Sequence, residues 1–233
     1  MVIWQDGERR VHRLVLNEIK TNCYLVQRGS QALLVDPTDQ PEVILAYLRE
    51  HGLSLVAMLA THGHFDHVAA AGALIASGAV DALALHPLEL AEYKHANTYA
   101  MLLLKRRVTP AAVAPFSAAL LALLADWGLC LVHAGGHTRG SCYLHDRGGR
   151  FIITGDLALH HRLDTTLFDR RENLAEFAAF VESVAQAFAA DAVILPGHGD
   201  RSTVAAELAH NRKWQYVRQK LAGCTRDGGA SPR

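Results

Sequence analysis

Thr61-His62-Gly63-His64-Phe65-Asp66-His67 is the stretch on which the reading of this chain turns. It sets four metal-ligating side chains, His62, His64, Asp66 and His67, in the pattern His-x-His-x-Asp-His. Imidazole nitrogens and carboxylate oxygens are the donors that borderline cations such as zinc prefer. Upstream, the apolar run 55–60 reads as a buried strand; downstream, residues 68–76 read as a helix. The ligands therefore sit where a strand ends and a helix begins, a common address for active sites in layered α/β folds.

Working outward, residues 11–16, 23–26 and 32–35 are short apolar runs separated by turn signals at 17–22 and 28–30, which predicts three strands. Pro41 opens a helix reaching about residue 51, with Val43, Ile44, Tyr47 and Leu48 as its buried face. Residues 82–86 read as a further short strand. The region 87–127 changes character: a helix start at 87–92, a helical piece at 101–105 and an Ala/Leu-rich helix at 117–127, with Pro110 and Pro115 between them. It is read as a mostly helical insertion, either walling a pocket or simply adding packing. Strand patterns resume at 129–133, 141–145, 151–154 and 192–195. Asn173 is placed as the N-cap of a helix to about residue 188, with the stripe Leu174, Phe177, Phe180, Val181, Val184 and Phe188. A last helix is expected over about 203–221, burying Val204, Leu208, Val217 and Leu221. Nothing divides residues 1–224 into separate domains, and the Gly/Ser/Pro-rich tail 225–233 is expected to be disordered.

Half of the 233 residues are apolar, enough for a sizeable core. The 23 basic and 23 acidic residues cancel, which argues against a nucleic-acid partner. The four cysteines are widely spaced, with no Cys-x-x-Cys pair, and fit a reducing, cytoplasmic setting. The N-terminus has no signal-peptide pattern and no apolar run is long enough to span a bilayer, so no membrane association is expected. The apolar run at 101–104 is a pocket wall, a subunit interface in a homo-oligomer, or core.

Three later segments repeat the logic of the opening stretch. Gly135-Gly136-His137-Thr138, Thr154-Gly155-Asp156 and Pro196-Gly197-His198-Gly199-Asp200 each place a His or Asp beside glycine, just past an apolar strand. Glycine lets the backbone bend sharply there and approach a ligand closely. The combined set is five histidines and two aspartates. Seven donors are too many for one tetrahedral ion and suit two, which in paired sites lie about 3.5–4 Å apart and lower the pKa of a shared water from about 15.7 toward about 7.

The set His62, His64, Asp66, His67, His137, Asp156 and His198 resembles the metal site of the metallo-β-lactamase superfamily. The resemblance runs from Asn22-Cys23-Tyr24-Leu25-Val26 and Leu34-Val35-Asp36-Pro37 to Pro196-Gly197-His198-Gly199. It implies an α+β fold, a four-layer αββα sandwich of two mixed sheets face to face, with helices outside and metals in a cleft along one edge. It also implies that His62, His64 and His137 hold one ion, that Asp66, His67 and His198 hold the other, and that Asp156 bridges both. The ions implied are divalent, zinc first, with iron or manganese as alternatives.

True β-lactamases usually lack a bridging aspartate at the position of Asp156, which disfavours antibiotic hydrolysis. Gly136-His137-Thr138-Arg139-Gly140-Ser141 and the Pro-Gly-His-Gly segment are similar to glyoxalase II, the hydroxyacylglutathione hydrolases. That likeness implies cleavage of a small ester or thioester by a metal-bridging hydroxide, with Asp66 handling its proton. Two departures stand out: no room for the extra helical domain that helps bind glutathione, and no clear counterpart of the basic residues that hold the glutathione carboxylates there; the segment after Asp156 also differs. His160, His161 and Arg162 in that segment are the candidate substrate contacts. The last helix resembles that of β-lactamase-like 2 proteins. The alternatives are a mononuclear iron enzyme of the persulfide dioxygenase type, a lactonase, or a phosphodiesterase (ribonuclease) of the same superfamily.

Overall fold

The structure, a computed structural model, describes residues 1–105, 107–109, 111–162 and 174–224. A seven-stranded sheet holds β1 (Val2–Asp6), β2 (Arg9–Leu16), β3 (Thr21–Arg28), β4 (Gln31–Val35), β5 (Ser54–Leu59), β6 (Leu83–Ala84) and β7 (Val113–Ala114) in sequence order. The first four strands form an antiparallel meander, and the last four run parallel. A five-stranded sheet is built from β8 (Leu129–His133), β9 (Cys142–Asp146), β10 (Phe151–Gly155), β11 (Val193–Pro196) and β12 (Ser202–Thr203), in the order β12-β11-β10-β9-β8. Only the β10–β11 pair in it is parallel. Both sheets are therefore mixed.

The period-2 alternation of a strand decides which core each side chain enters. In β3, Tyr24 and Val26 join the cluster between the sheets, while Cys23 and Leu25 face the outer layer. In β4, Leu33 and Val35 point inward and Ala32 and Leu34 outward. From the second sheet, Phe151, Ile153 and Leu195 meet them, while Ile152 and Ile194 turn to the opposite face. Strands buried on both faces read as continuous apolar runs, which is how these appear in the sequence.

Helices cover both outer faces. Over the first sheet lie α1 (Pro41–Glu50), the one-turn α2 (Phe65–Val68), α3 (Ala71–Ala76) and α4 (Leu90–Leu104), through Ile44, Phe65, Leu74, Ala96 and Ala100. Over the second lie α6 (Leu174–Ala187), α7 (Val204–His210) and α8 (Arg212–Cys224), through Phe177, Phe180, Val181, Val204 and Trp214. Between them in sequence, α5 (Ala118–Asp126) inserts Leu120 and Leu124 into the inter-sheet core. The αββα sandwich is the architecture expected from the sequence.

Several details differ. Val43 is 39% exposed, while Ile44 and Leu48 are buried and Tyr47 partly so. Val43 stands about 100° around the helix from Ile44, off the buried stripe. The helix read at 68–76 is two pieces, and its first turn begins at Phe65, so Asp66 and His67 are helical. The helix read at 203–221 is broken at Asn211, whose backbone is extended (ψ 99°) and whose Oδ1 accepts from Lys213 N and Trp214 N, capping α8. Within 87–127, α4 is one continuous helix after a 3-10 turn at Pro87–Glu89, and β7 adds the edge strand of the larger sheet. Asn173, Pro110 and the tail 225–233 lie outside the described residues.

Candidate metal centre

The seven candidate donors come from five places in the chain, and the fold brings them together. His62 and His64 follow β5, and Asp66 and His67 lie on α2. His137 follows β8, Asp156 follows β10 and His198 follows β11. Nε2 of His62 and Nε2 of His137 each lie 3.1 Å from Nδ1 of His64. His198 Nε2 stands 3.2 Å from Asp66 Oδ2 and 3.5 Å from Asp156 Oδ2. His67 Nε2 is 3.4 Å from Asp66 Oδ2 and 3.5 Å from Asp156 Oδ1. Three donor groups result, each with its ligand atoms within 4.8 Å of one another: His62, His64 and His137; His62, His67 and Asp156; Asp66, His67 and His198. All but His198 are buried.

These donors fit cations. Among the described residues, His67 Nε2 and Asp156 Oδ1 are buried with no hydrogen-bond partner. Such atoms cost stability unless something binds them. The N/O donor set suits zinc, iron or manganese.

The surroundings orient the donors through residues that are not themselves candidates. Asp36 Oδ2 lies 3.0 Å from Nδ1 of His67 and accepts from the Thr61 hydroxyl at 2.9 Å; its Oδ1 accepts from Thr61 N at 2.7 Å. Thr21 Oγ1 donates to Asp66 Oδ2 at 2.9 Å. Asn22 Nδ2 donates to the carbonyls of Pro196 and Gly199, and the Tyr24 hydroxyl to that of Pro196, tying the His198 loop to β3. The loop carrying His137 is held at Gly136 N by Glu176 Oε2 and at Gly140 N by Glu89 Oε1. Sequence reasoning missed Glu89, Glu176 and Thr21, and used Asp36 only as part of a motif.

Close approach demands glycine beside the donors. A Cβ on Gly197 would lie 2.2 Å from Asp156 Oδ1 and 2.7 Å from His67 Cε1. Gly155 adds a positive φ of 51°, and a Cβ there would meet Thr61 Oγ1 at 2.3 Å.

Without a cation, the charges in the site balance one another. Burial disfavours charge on His67, but Asp66, Asp156 and Asp36 outweigh it and hold its pKa well above the ordinary imidazole value. Burial likewise opposes His198, yet hydrogen bonds to Asp156 and Asp66 raise it to about 9. Burial pushes the Asp66 carboxyl up, and the facing His67 and His198 bring it down to about 2. Asp156 is lowered well below its usual range by the same two imidazoles, against the same burial. His62 and His64 are driven the other way by burial and by neighbouring histidines, His64 to about 3, which leaves them neutral. A neutral imidazole is the form that ligates.

A family model described as the metallo-beta-lactamase superfamily matches residues 16–208. The chain belongs to the metallo-β-lactamase superfamily. An uncharacterized protein of Aquifex aeolicus is 27% identical over 197 residues, 83% of this chain and 91% of that one. A hydroxyacylglutathione hydrolase of Tolumonas auensis is 39% identical over 64 residues, a stretch covering 28% of this chain and 22% of that enzyme. Among solved structures, TTHA1623 in a di-iron-bound form is 29% identical with a TM-score of 0.75, covering 86% of this chain and 98% of that one.

In this metallo-β-lactamase superfamily chain, His160, His161 and Arg162 are exposed on the turn that follows Asp156. Leu159 and Arg162 pair through their backbones, and His161 N donates to Oε1 of the buried Glu207 at 3.0 Å. None of the three joins the donor groups described above. No helix among the described residues is long and apolar enough to cross a membrane.

Proposed function

We propose that this superfamily member is a dinuclear metal-dependent hydrolase that cleaves a small ester or thioester, in the manner of the hydroxyacylglutathione hydrolases. The observation that carries this reading is the grouping of seven donors into overlapping sets, with Asp156 facing both the His137 and the His198 side. In this reading His62, His64 and His137 hold one ion, Asp66, His67 and His198 hold the second, and Asp156 is shared. Two such ions, when bound, activate a water at neutral pH and polarise a carbonyl. Zinc is the first choice of metal. The di-iron form of TTHA1623 supports iron as the alternative.

The chain's own residues then have distinct tasks. Asp66 Oδ2, steadied by the Thr21 hydroxyl, accepts and passes on a proton of the attacking water. Asp36 fixes the His67 ring, so that Nε2 is the nitrogen presented to the site. His160, His161 and Arg162 stand on the exposed turn that follows Asp156 in sequence and are assigned to contact the substrate. The short match to a hydroxyacylglutathione hydrolase supports the thioester class. Free thiols at Cys23, Cys130 and Cys142 fit a cytoplasmic setting, and exposed Met101, Leu102 and Leu103 fit self-association.

The test is metal analysis of the purified protein, followed by a panel of S-acyl-glutathione thioesters, lactones and phosphodiesters. Thioester turnover at two ions per chain is the expected result. A single iron per chain, with oxygen uptake in the presence of glutathione persulfide, would overturn it in favour of a dioxygenase.

A further inference from the structure

Glu89 is a fully buried acid that belongs to none of the donor groups. It closes the 3-10 turn Pro87–Glu89 ahead of α4. Its two carboxylate oxygens serve different loops. Oε2 accepts from Gly63 N at 2.7 Å, and Oε1 accepts from Gly140 N at 2.6 Å. Gly63 separates His62 from His64, and Gly140 lies three residues beyond His137. The two loops that supply the three-histidine group are therefore joined through one side chain.

The join has no slack. A Cβ on Gly63 would lie 2.9 Å from Tyr93 N and 3.0 Å from the Glu89 carbonyl oxygen. A Cβ on Gly140 would lie 2.8 Å from Glu89 Cγ. Both loops thus press their bare backbone onto the start of α4. An ionised carboxylate accepts such N–H bonds more strongly than a neutral group does. It also offers two acceptors, whereas an amide would offer one and turn an N–H toward a donor. The donors of the second group are held by other means: Asp66 by Thr21, His67 by Asp36, and the His198 loop by Asn22 and Tyr24.

We propose that Glu89 is a positioning residue for one metal only, setting the spacing of His62 and His64 against His137. This rests on the dinuclear reading above. Partners behind the ligands of a metal typically cost about 10–100-fold in affinity when removed.

The test measures zinc affinity by chelator competition on the whole chain, with no catalytic readout. Glu89→Gln is placed in two backgrounds that each leave one group intact. His198→Ala leaves the three-histidine group, and His64→Ala leaves the group of Asp66, His67 and His198. The expected result is about a 10–100-fold loss in the first background and none in the second. Glu89→Asp keeps the charge but is one methylene too short to reach both loops, and the same selective loss is expected. Equal loss in both backgrounds, no loss in either, or failure of both variants to fold would overturn the proposal and make Glu89 a residue of the general fold. A wild-type chain that binds no zinc or iron would overturn the dinuclear reading itself, and this inference with it.

Discussion

Nδ1 of His67 lies 3.0 Å from Oδ2 of Asp36, and both side chains are fully buried. The contact commits that ring nitrogen to Asp36 and leaves Nε2 facing Asp66 and Asp156. Asp36 itself has a left-handed backbone (φ 56°), which Asn also tolerates. Asp36→Asn therefore tests the carboxylate without straining the chain. Metal affinity is expected to fall about 10–100-fold, read by chelator competition. An unchanged affinity would show that His67 needs no such partner.

Gly197→Ala puts a methyl where Asp156 Oδ1 and His67 Cε1 already stand. The expected outcome is displacement of Asp156, a fall in metal content, and overpacking that destabilises by about 1–3 kcal/mol. Metal analysis and thermal denaturation with chelator read the two effects separately. A variant with full metal content would mean that the Asp156 position is not shared between ions.

Cations and protons compete for the same atoms. His198, at about 9 in the absence of metal, and the higher-than-normal His67 are protonated at neutral pH. Binding of a cation must release those protons, so affinity rises with pH, the His198 contribution running up to about 9. Calorimetry in buffers of different ionisation enthalpy should show net proton release near pH 7. The metal-free chain has the opposite trend in stability. A raised histidine pKa contributes stability that is full below the ordinary value of 6.5 and lost as pH rises through about 9. Thermal unfolding with chelator present should therefore weaken across that window, and a flat profile would contradict the charge assignment.

Asn22→Ala removes two hydrogen bonds, at 2.8 Å to Pro196 O and 2.9 Å to Gly199 O. Two carbonyls beside His198 are then left without that donor. The expected cost is about 1–3 kcal/mol, with weaker binding of the ion proposed for the group of Asp66, His67 and His198. Denaturant unfolding with and without zinc measures both.

The grouping of the seven candidate donors was legible because each sits in a local signal: an apolar run, a glycine, and a His or Asp at a fixed offset. The two-sheet core was legible for a related reason, since strands such as β3 and β4 are apolar on both faces. Other features carried no local mark. β7 and β12 are two residues long and cannot display a period of two. The break at Asn211 interrupts an amphipathic pattern that continues on either side, and it is fixed by a hydrogen bond of 2.7 Å to the buried Glu207. Glu89 and Glu207 read in sequence as ordinary surface acids on helices. Only tertiary burial shows that their carboxylates hold backbone N–H groups. Val43 has the residue type of a buried face but not its helical angle, so residue type alone misplaces it.

In the dinuclear reading proposed above, two metal ions share Asp156. Metal content of the purified chain and of Asp156→Ala, measured alongside S-acyl-glutathione hydrolysis, tests it most directly. The expected result is two ions per chain in the wild type, with metal and activity lost together in the variant. Two tightly held ions in Asp156→Ala, or a single ion in an active wild type, would contradict it.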